Sequence, residues 1–215
     1  IHDNVKVLVR IVRWDDPRKN PEGRIVKVLG KKGDNDVEME SIVLEKGFQI
    51  GFPHRVEREA EALEKSSKLI PQKDIEQRRD FREATTFTID PDDAKDFDDA
   101  LSFHAVGENM LEIGVHIADV SHYVREGSEL DEEAIHRGVS MYLVDRTIPM
   151  LPEVLSNDMC SLNPRQDKLT FSAVMTMTRD GHIKKVWLGR TIINSNKRFS
   201  YEEAQKTLDA ETGDF

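Results

Sequence analysis

Thr88-Ile-Asp-Pro-Asp-Asp-Ala-Lys-Asp-Phe-Asp-Asp-Ala-Leu101 places six aspartates between positions 90 and 99. Carboxylates this crowded repel one another, and some stay protonated unless a cation neutralises them, so the run reads as a divalent metal site. Pro91, Ala94, Phe97 and Ala100 interrupt the aspartates, which is the pattern of a folded loop rather than of a solvated acidic tail. Phe87 and Ile89 alternate with Thr86 and Thr88 before the run, and Leu101 and Phe103 alternate with Ser102 after it. A period of two predicts a strand on each side, with Phe97 anchoring the loop that they pin.

The spacing narrows the choice of ion. An EF-hand loop needs ligands at its first, third and fifth positions, Gly at the sixth and Glu at the twelfth. Counted from Asp90, those last three places hold Ala94, Lys95 and Leu101, which excludes that loop. Mg²⁺, with Mn²⁺ as a substitute, fits better, because it keeps several waters and takes a few carboxylates together with phosphate oxygens.

Working outward, Gly107-Glu-Asn109 reads as a hairpin turn, and Leu111, Ile113, Val115 and Ile117 predict a strand with one buried face that leads His116 and Asp119 toward the loop. On such a strand a histidine is more often a hydrogen-bonded structural residue than a ligand, and the same holds for His122. Ser128 with Asp131 opens a short helix that Gly138 ends, and Ser200 with Glu203 opens a last one over Tyr201 to Leu208. Between them, Leu169, Phe171, Ala173, Met175 and Met177 share one face of a strand over 168–178, with the methionines in the core. Asp180-Gly181 then turns the chain back along 183–194. Before the loop, Arg55 to Glu83 holds eight basic and eight acidic residues and reads as exposed helices broken near Ile70-Pro71. At the start, Val5, Val7, Val9 and Ile11 alternate with Lys6, Leu8 and Arg10, and after a turn over 15–23 a second strand runs from Ile25 to Leu29.

Composition bounds the rest. The 215 residues are 38% hydrophobic and 33% charged, which suits a soluble protein of one or two domains. No stretch approaches the roughly 18 apolar residues of a membrane span and none has the form of a signal peptide, so the expected location is cytoplasmic. A single cysteine, Cys160, excludes an internal disulfide and reads as a small buried residue. The net charge of −10 sits poorly with phosphate binding, yet residues 1–32 carry nine Lys or Arg against four Asp or Glu. Lys184 to Arg198 adds five basic residues and no acidic one.

The aspartate run closely resembles the catalytic signature of the ribonuclease II and ribonuclease R family of exoribonucleases. Gly114-Val-His-Ile-Ala-Asp-Val-Ser-His-Tyr-Val124, Gly127-Ser-Glu-Leu-Asp131, Ile148-Pro-Met-Leu-Pro152 and Leu155-Ser-Asn157 match it in order. The Val-Ser-His-Tyr-Val form is more similar to the ribonuclease R branch and its eukaryotic relatives. The resemblance implies Mg²⁺-dependent, processive 3′-to-5′ hydrolysis of RNA to nucleoside 5′-monophosphates. Asp90, Asp96, Asp98 and Asp99 fall on the four acidic positions of the family's active site, and Asp92 and Asp93 on variable ones. Asp90 and Asp99 would be direct metal ligands with Asp96 in support. Asp98 would hold a second metal or orient the attacking water. Tyr142 falls on the tyrosine that packs on the terminal nucleotide. Single-stranded RNA, or RNA with a 3′ overhang, is the expected partner of a monomeric enzyme.

The resemblance also places an arginine, a glutamate and a C-terminal RNA-binding barrel beyond Phe215, so the chain is expected to be a piece of a longer protein. The fold expected is α+β: a mixed, largely antiparallel sheet with helices over 85–215, a helical connector over 55–84, and the remnant of an OB or cold-shock β-barrel over 1–54. Two other readings compete, a non-catalytic RNA-binding piece and a metal-dependent phosphodiesterase or DNA nuclease with a convergent loop.

Overall fold

A computed structural model of the chain describes residues 3–67 and 69–210. They form two compact units, one over Ile1–Pro53 with Ser140–Ile148 and the other over His54–Val139 with Pro149–Phe215. In the first, β1 (Val5–Arg13) and β2 (Glu22–Lys31) make an antiparallel ribbon with three register shifts. Helix α1 (Asn35–Glu45) packs on β2 where Gly30, at φ 138°, leaves room: a Cβ there would lie 2.6 Å from the Val37 side chain. Val37 and Val43 are the buried residues of that helix.

The second unit opens with α2 (His54–Ser66) and α3 (Gln72–Glu76), which are broken as expected just before Gln72 at Pro71. Helix α2 is not exposed all round, since Val56 and Ala60 are buried. A sheet of seven strands comes next: β3 (Arg79–Phe81), β4 (Thr85–Asp90), β5 (Asp99–Val106), β6 (Met110–Ala118), β9 (Asp167–Thr178), β10 (Ile183–Asn194) and β11 (Lys197–Ser200). Its order is β11-β4-β5-β6-β9-β10-β3, parallel only at the two outer pairs and antiparallel elsewhere. The fold is therefore α+β with a mixed, largely antiparallel sheet. Helices α4 (Val120–Tyr123) and α5 (Glu129–Arg137) come after β6, and α6 (Tyr201–Asp209) after β11. The two-residue strands β7 (Met141–Tyr142) and β8 (Thr147–Ile148) pair within the first unit.

The turn and cap chemistry read from the residues is present. Gly107 and Gly181 take positive φ in the two hairpin turns. Ser128 accepts from the Asp131 amide, Gly138 ends α5 in the left-handed conformation, and Ser200 with Glu203 forms a reciprocal capping box on α6.

One expectation is reversed. The buried face of β6 is Gly114, His116 and Ala118, while Ile117 is 49% exposed. On β9 Lys168, Thr170, Ser172 and Val174 are buried, and of the apolar set only Leu169 joins them; Phe171 is 50% exposed and Met175 and Met177 are only half-buried. Thr86, Thr88 and Ser102 line the same buried side. Hydroxyls are tolerated inside because they satisfy one another: Thr170 and Thr191 hydroxyls lie 2.5 Å apart, and Ser172 lies as close to Thr191. The apolar side chains of the opposite face, among them Phe103, Ile117 and Leu188, stand exposed. Gly114 is required by this packing, because a Cβ would sit 2.4 Å from Ser102 Oγ and 2.5 Å from His116 Nε2. Gly114→Ala is expected to cost about 1–3 kcal/mol of stability. A urea midpoint equal to wild type would contradict that placement.

Candidate active site

Strand β4 delivers Asp90 at its end and β5 begins at Asp99, so the loop over 91–98 is pinned as the alternation implied. Asp90 is buried, Asp96 is half-buried, and Asp98 and Asp99 are open to solvent. Phe97 is buried at 8% exposure and anchors the loop. Its carbonyl accepts from the Leu162 amide at 2.8 Å, and the Asp98 carbonyl accepts from the Ala118 amide at 2.9 Å. Arg198, on the parallel neighbour β11, donates from Nη2 to the Pro91 carbonyl and lies 5.5 Å from the Phe97 ring centroid. The loop thus hangs from three separate parts of the chain. The basic run containing Arg198 was legible only as a candidate RNA face; its contact with the loop depends on the β4–β11 pairing.

Electrostatics mark this loop as strained by its own charge. Burial raises the Asp90 pKa, and the charges of Asp99 and Asp96 add to the effect; the nearby Thr88 hydroxyl and Arg198 guanidinium pull the other way. Asp98 is raised too, by the protein around its carboxyl and then by Asp96, Asp99 and Asp90. Asp90 Oδ2 is sealed from solvent and makes no hydrogen bond. A buried carboxylate oxygen without a partner is costly, and a hard cation would satisfy it. An all-oxygen donor set of this kind suits Mg²⁺ or Mn²⁺. The carboxylates are not already drawn together: among the described residues, no group of three or more His, Cys, Asp or Glu has ready-made metal-binding geometry. Mutual repulsion opposes such a cluster until a cation enters.

The histidines are structural. His116 Nδ1 and Nε2 lie 2.7 and 2.8 Å from the Ser172 and Ser102 hydroxyls, and Phe81 meets the ring edge-on at 5.1 Å. Burial lowers the His116 pKa from 6.5 to about 4. The unfolded chain therefore takes up a proton that the folded chain refuses. The stability that this provides is complete above pH 6.5 and is lost as pH falls toward 4. It amounts to about 3 kcal/mol. Unfolding in urea at pH 7 and pH 5 should show a steeper loss for wild type than for His116→Gln; equal losses would contradict a buried neutral imidazole. His122 is half-buried, with Nδ1 3.5 Å from Arg78, and its pKa is lowered, first by burial and then by Arg78.

Asp119 is placed near the loop in sequence order but belongs to a buried ion pair with Arg78, at 2.6 Å. Burial pushes its carboxyl up, yet the hydrogen bonds from Arg78 and Ser121 and the charges of Arg78 and Arg190 outweigh that and hold it below the usual range. Cys160 is buried, and burial raises its thiol to about 12, which makes it inert as a nucleophile. Tyr142 lies in the first unit on β7, opposite Thr147, and is 67% exposed.

This constellation has close counterparts. The RNB domain family matches residues 78–214 and the cold shock domain family matches residues 1–53. Ribonuclease R of Thermotoga maritima is 44% identical over 208 residues, which take in 96% of this chain and 29% of that protein. DIS3-like exonuclease 2 of Xenopus tropicalis is 42% identical over 207 residues, 95% of this chain and 24% of that protein. The chain thus spans about a quarter of the length of the curated relatives it matches. Mycoplasma genitalium RNase R in complex with ribose methylated single-stranded RNA superposes with a TM-score of 0.87 at 31% identity, over 99% of this chain and 32% of that one. The RNB match takes in more than half of the residues, including the whole aspartate loop and every strand of the seven-stranded sheet, and the chain belongs to the RNB-domain family.

Proposed function

We propose that this chain supplies the metal-binding part of a Mg²⁺-dependent, processive 3′-to-5′ exoribonuclease that releases nucleoside 5′-monophosphates from single-stranded RNA or RNA with a 3′ overhang. The observation that carries the reading is the pinned loop in which the surrounding protein and the neighbouring aspartates raise the pKa of Asp90 and Asp98, with one Asp90 oxygen buried and unsatisfied. Asp90 and Asp99 are the direct ligands, Asp96 supports them, and Asp98 orients the attacking water or holds a second ion. The chemistry supplied by a bound Mg²⁺ is neutralisation of the carboxylates and of the charge that grows on the phosphate and the leaving 3′ oxygen.

Tyr142 binds the terminal nucleotide by stacking. An exposed phenol ring offers sequence-tolerant stacking of ~1–3 kcal/mol per base, which suits an enzyme that must accept any nucleotide. The local excess of Lys and Arg over residues 1–32 serves the phosphates. No described helix is long and apolar enough to cross a membrane, and a monomeric, cytoplasmic enzyme is part of the proposal.

A second reading, in which the chain only binds RNA, rests on the local excess of Lys and Arg over residues 1–32. Digestion of a 5′-labelled RNA beside the all-DNA oligonucleotide of the same sequence separates the readings. The proposal expects shortening of the RNA alone, since only RNA presents the 2′ hydroxyl. Retention of both strands intact by the full-length protein would favour the binding reading. Shortening of both would favour a less selective phosphodiesterase.

A further inference from the structure

The metal loop is held from outside by a buried hydroxyl that has no part in the chemistry proposed for the aspartates. Ser161 is fully buried. Its Oγ accepts from the Phe97 amide at 3.0 Å and donates to the Lys95 carbonyl at 3.0 Å. These two bonds bracket Asp96, so one side chain fixes the backbone on both sides of that carboxylate. The next residue, Leu162, donates to the Phe97 carbonyl at 2.8 Å, and Asp98 is tied in turn by Ala118.

Ser161 is itself well placed to act as a fixed point. It comes just after a π-helical turn, Val154–Met159, whose widened repeat is closed by the Cys160 amide donating to the Leu155 carbonyl at 2.8 Å. The Ser161 amide then donates to the Asp158 carbonyl at 3.1 Å, and Leu155 and Leu162 are almost wholly buried. Such turns are rare and concentrate at functional sites, where the extra residue re-aims the side chains beyond the turn. Here it turns the Ser161 hydroxyl toward the loop.

We infer that Ser161 is the positioning residue of the aspartate loop: it presets the backbone around Asp96 so that this carboxylate can support Asp90 and Asp99 in holding a divalent cation. The inference rests on the proposed metal site. Carboxylates that repel one another need an external scaffold, and groups that orient metal ligands typically contribute about 10- to 100-fold to metal affinity.

The test uses the full-length protein with Mn²⁺ as the probe, titrated calorimetrically, and amide exchange at Phe97 as a second readout that needs no metal. Ser161→Ala is expected to weaken Mn²⁺ binding about 10- to 100-fold and to speed exchange of the Phe97 amide, with the amides of β9 and β10 unchanged. Ser161→Cys, which keeps the volume with a weaker donor and acceptor, should fall between the two and serves in its place if the alanine variant does not fold. Wild-type Mn²⁺ affinity in a folded variant, or an unchanged Phe97 exchange rate, would overturn the positioning role alone. Failure of the wild-type protein to bind Mn²⁺ would overturn the metal reading and the inference with it.

Discussion

Asp98→Asn is expected to abolish RNA turnover by the full-length protein, lowering kcat by on the order of a thousandfold or more while leaving the Kd for RNA within about twofold. The asymmetry comes from where Asp98 sits. It is open to solvent at the end of a loop whose backbone is fixed by Phe97, Leu162 and Ala118, so replacing its carboxylate by an amide disturbs no packing. What the amide removes is one negative charge from a cluster that already raises the pKa of both Asp98 and Asp90. RNA affinity comes from phosphate contacts and stacking, neither of which is assigned to position 98. Single-turnover cleavage and equilibrium binding, measured on the same preparation, separate the two effects. A variant that turns over near the wild-type rate would show that the loop is not the chemical centre.

The second large effect is on stability. Arg78 and Asp119 are both almost wholly buried, with side chains 2% and 3% exposed, and Arg78 also donates to the Thr170 and Thr191 carbonyls at 3.1 and 3.3 Å. Asp119→Ala leaves the guanidinium inside with backbone carbonyls and the His122 ring for company, and should cost about 3–5 kcal/mol. For a unit of this size that is a fall in Tm of roughly 6–20 °C. Replacing both partners, Arg78→Met with Asp119→Leu, should regain most of the loss, because the penalty lies in the orphaned charge rather than in the missing attraction. Thermal unfolding of the single and double variants tests this, and a single variant within about 1 kcal/mol of wild type would contradict a dry ion pair.

The same pair shows why parts of the molecule were not legible in its residues. The Ala-Asp-Val-Ser-His stretch pointed to Asp119, but its partner is 41 residues away, and only the parallel pairing of β3 with β10 places Arg78 under β9 and β10. The reversed sheet has a related cause. Alternation reports two faces and not which of them is buried, and the apolar set was the natural choice until the Thr, Ser and His side chains found one another. Helix α1 was missed because a polar run, Asn35-Asp-Val-Glu-Met-Glu, buries only Val37 and Val43, too few to mark a helical face. Ser161 carries no signal of its own, since a lone serine becomes a scaffold only when a π-helical turn aims it.

By contrast, the features set by local chemistry were readable: the loop between two strands, the hairpin turns at Gly107 and Gly181, and the caps at Ser128, Gly138 and Ser200. So was the aspartate cluster. Its crowding is written in consecutive positions, whereas its support comes from residues 118, 161, 162 and 198.

The most direct test is a time course of 5′-labelled single-stranded RNA with the full-length protein, first stripped of metal by chelator and then given Mg²⁺, with Asp98→Asn alongside. The account predicts intact RNA in chelator, a ladder shortening from the 3′ end once Mg²⁺ is restored, and no ladder from the variant. A ladder that forms in chelator, or one that the variant forms as fast as wild type, would contradict the assignment of the chemistry to the aspartate loop.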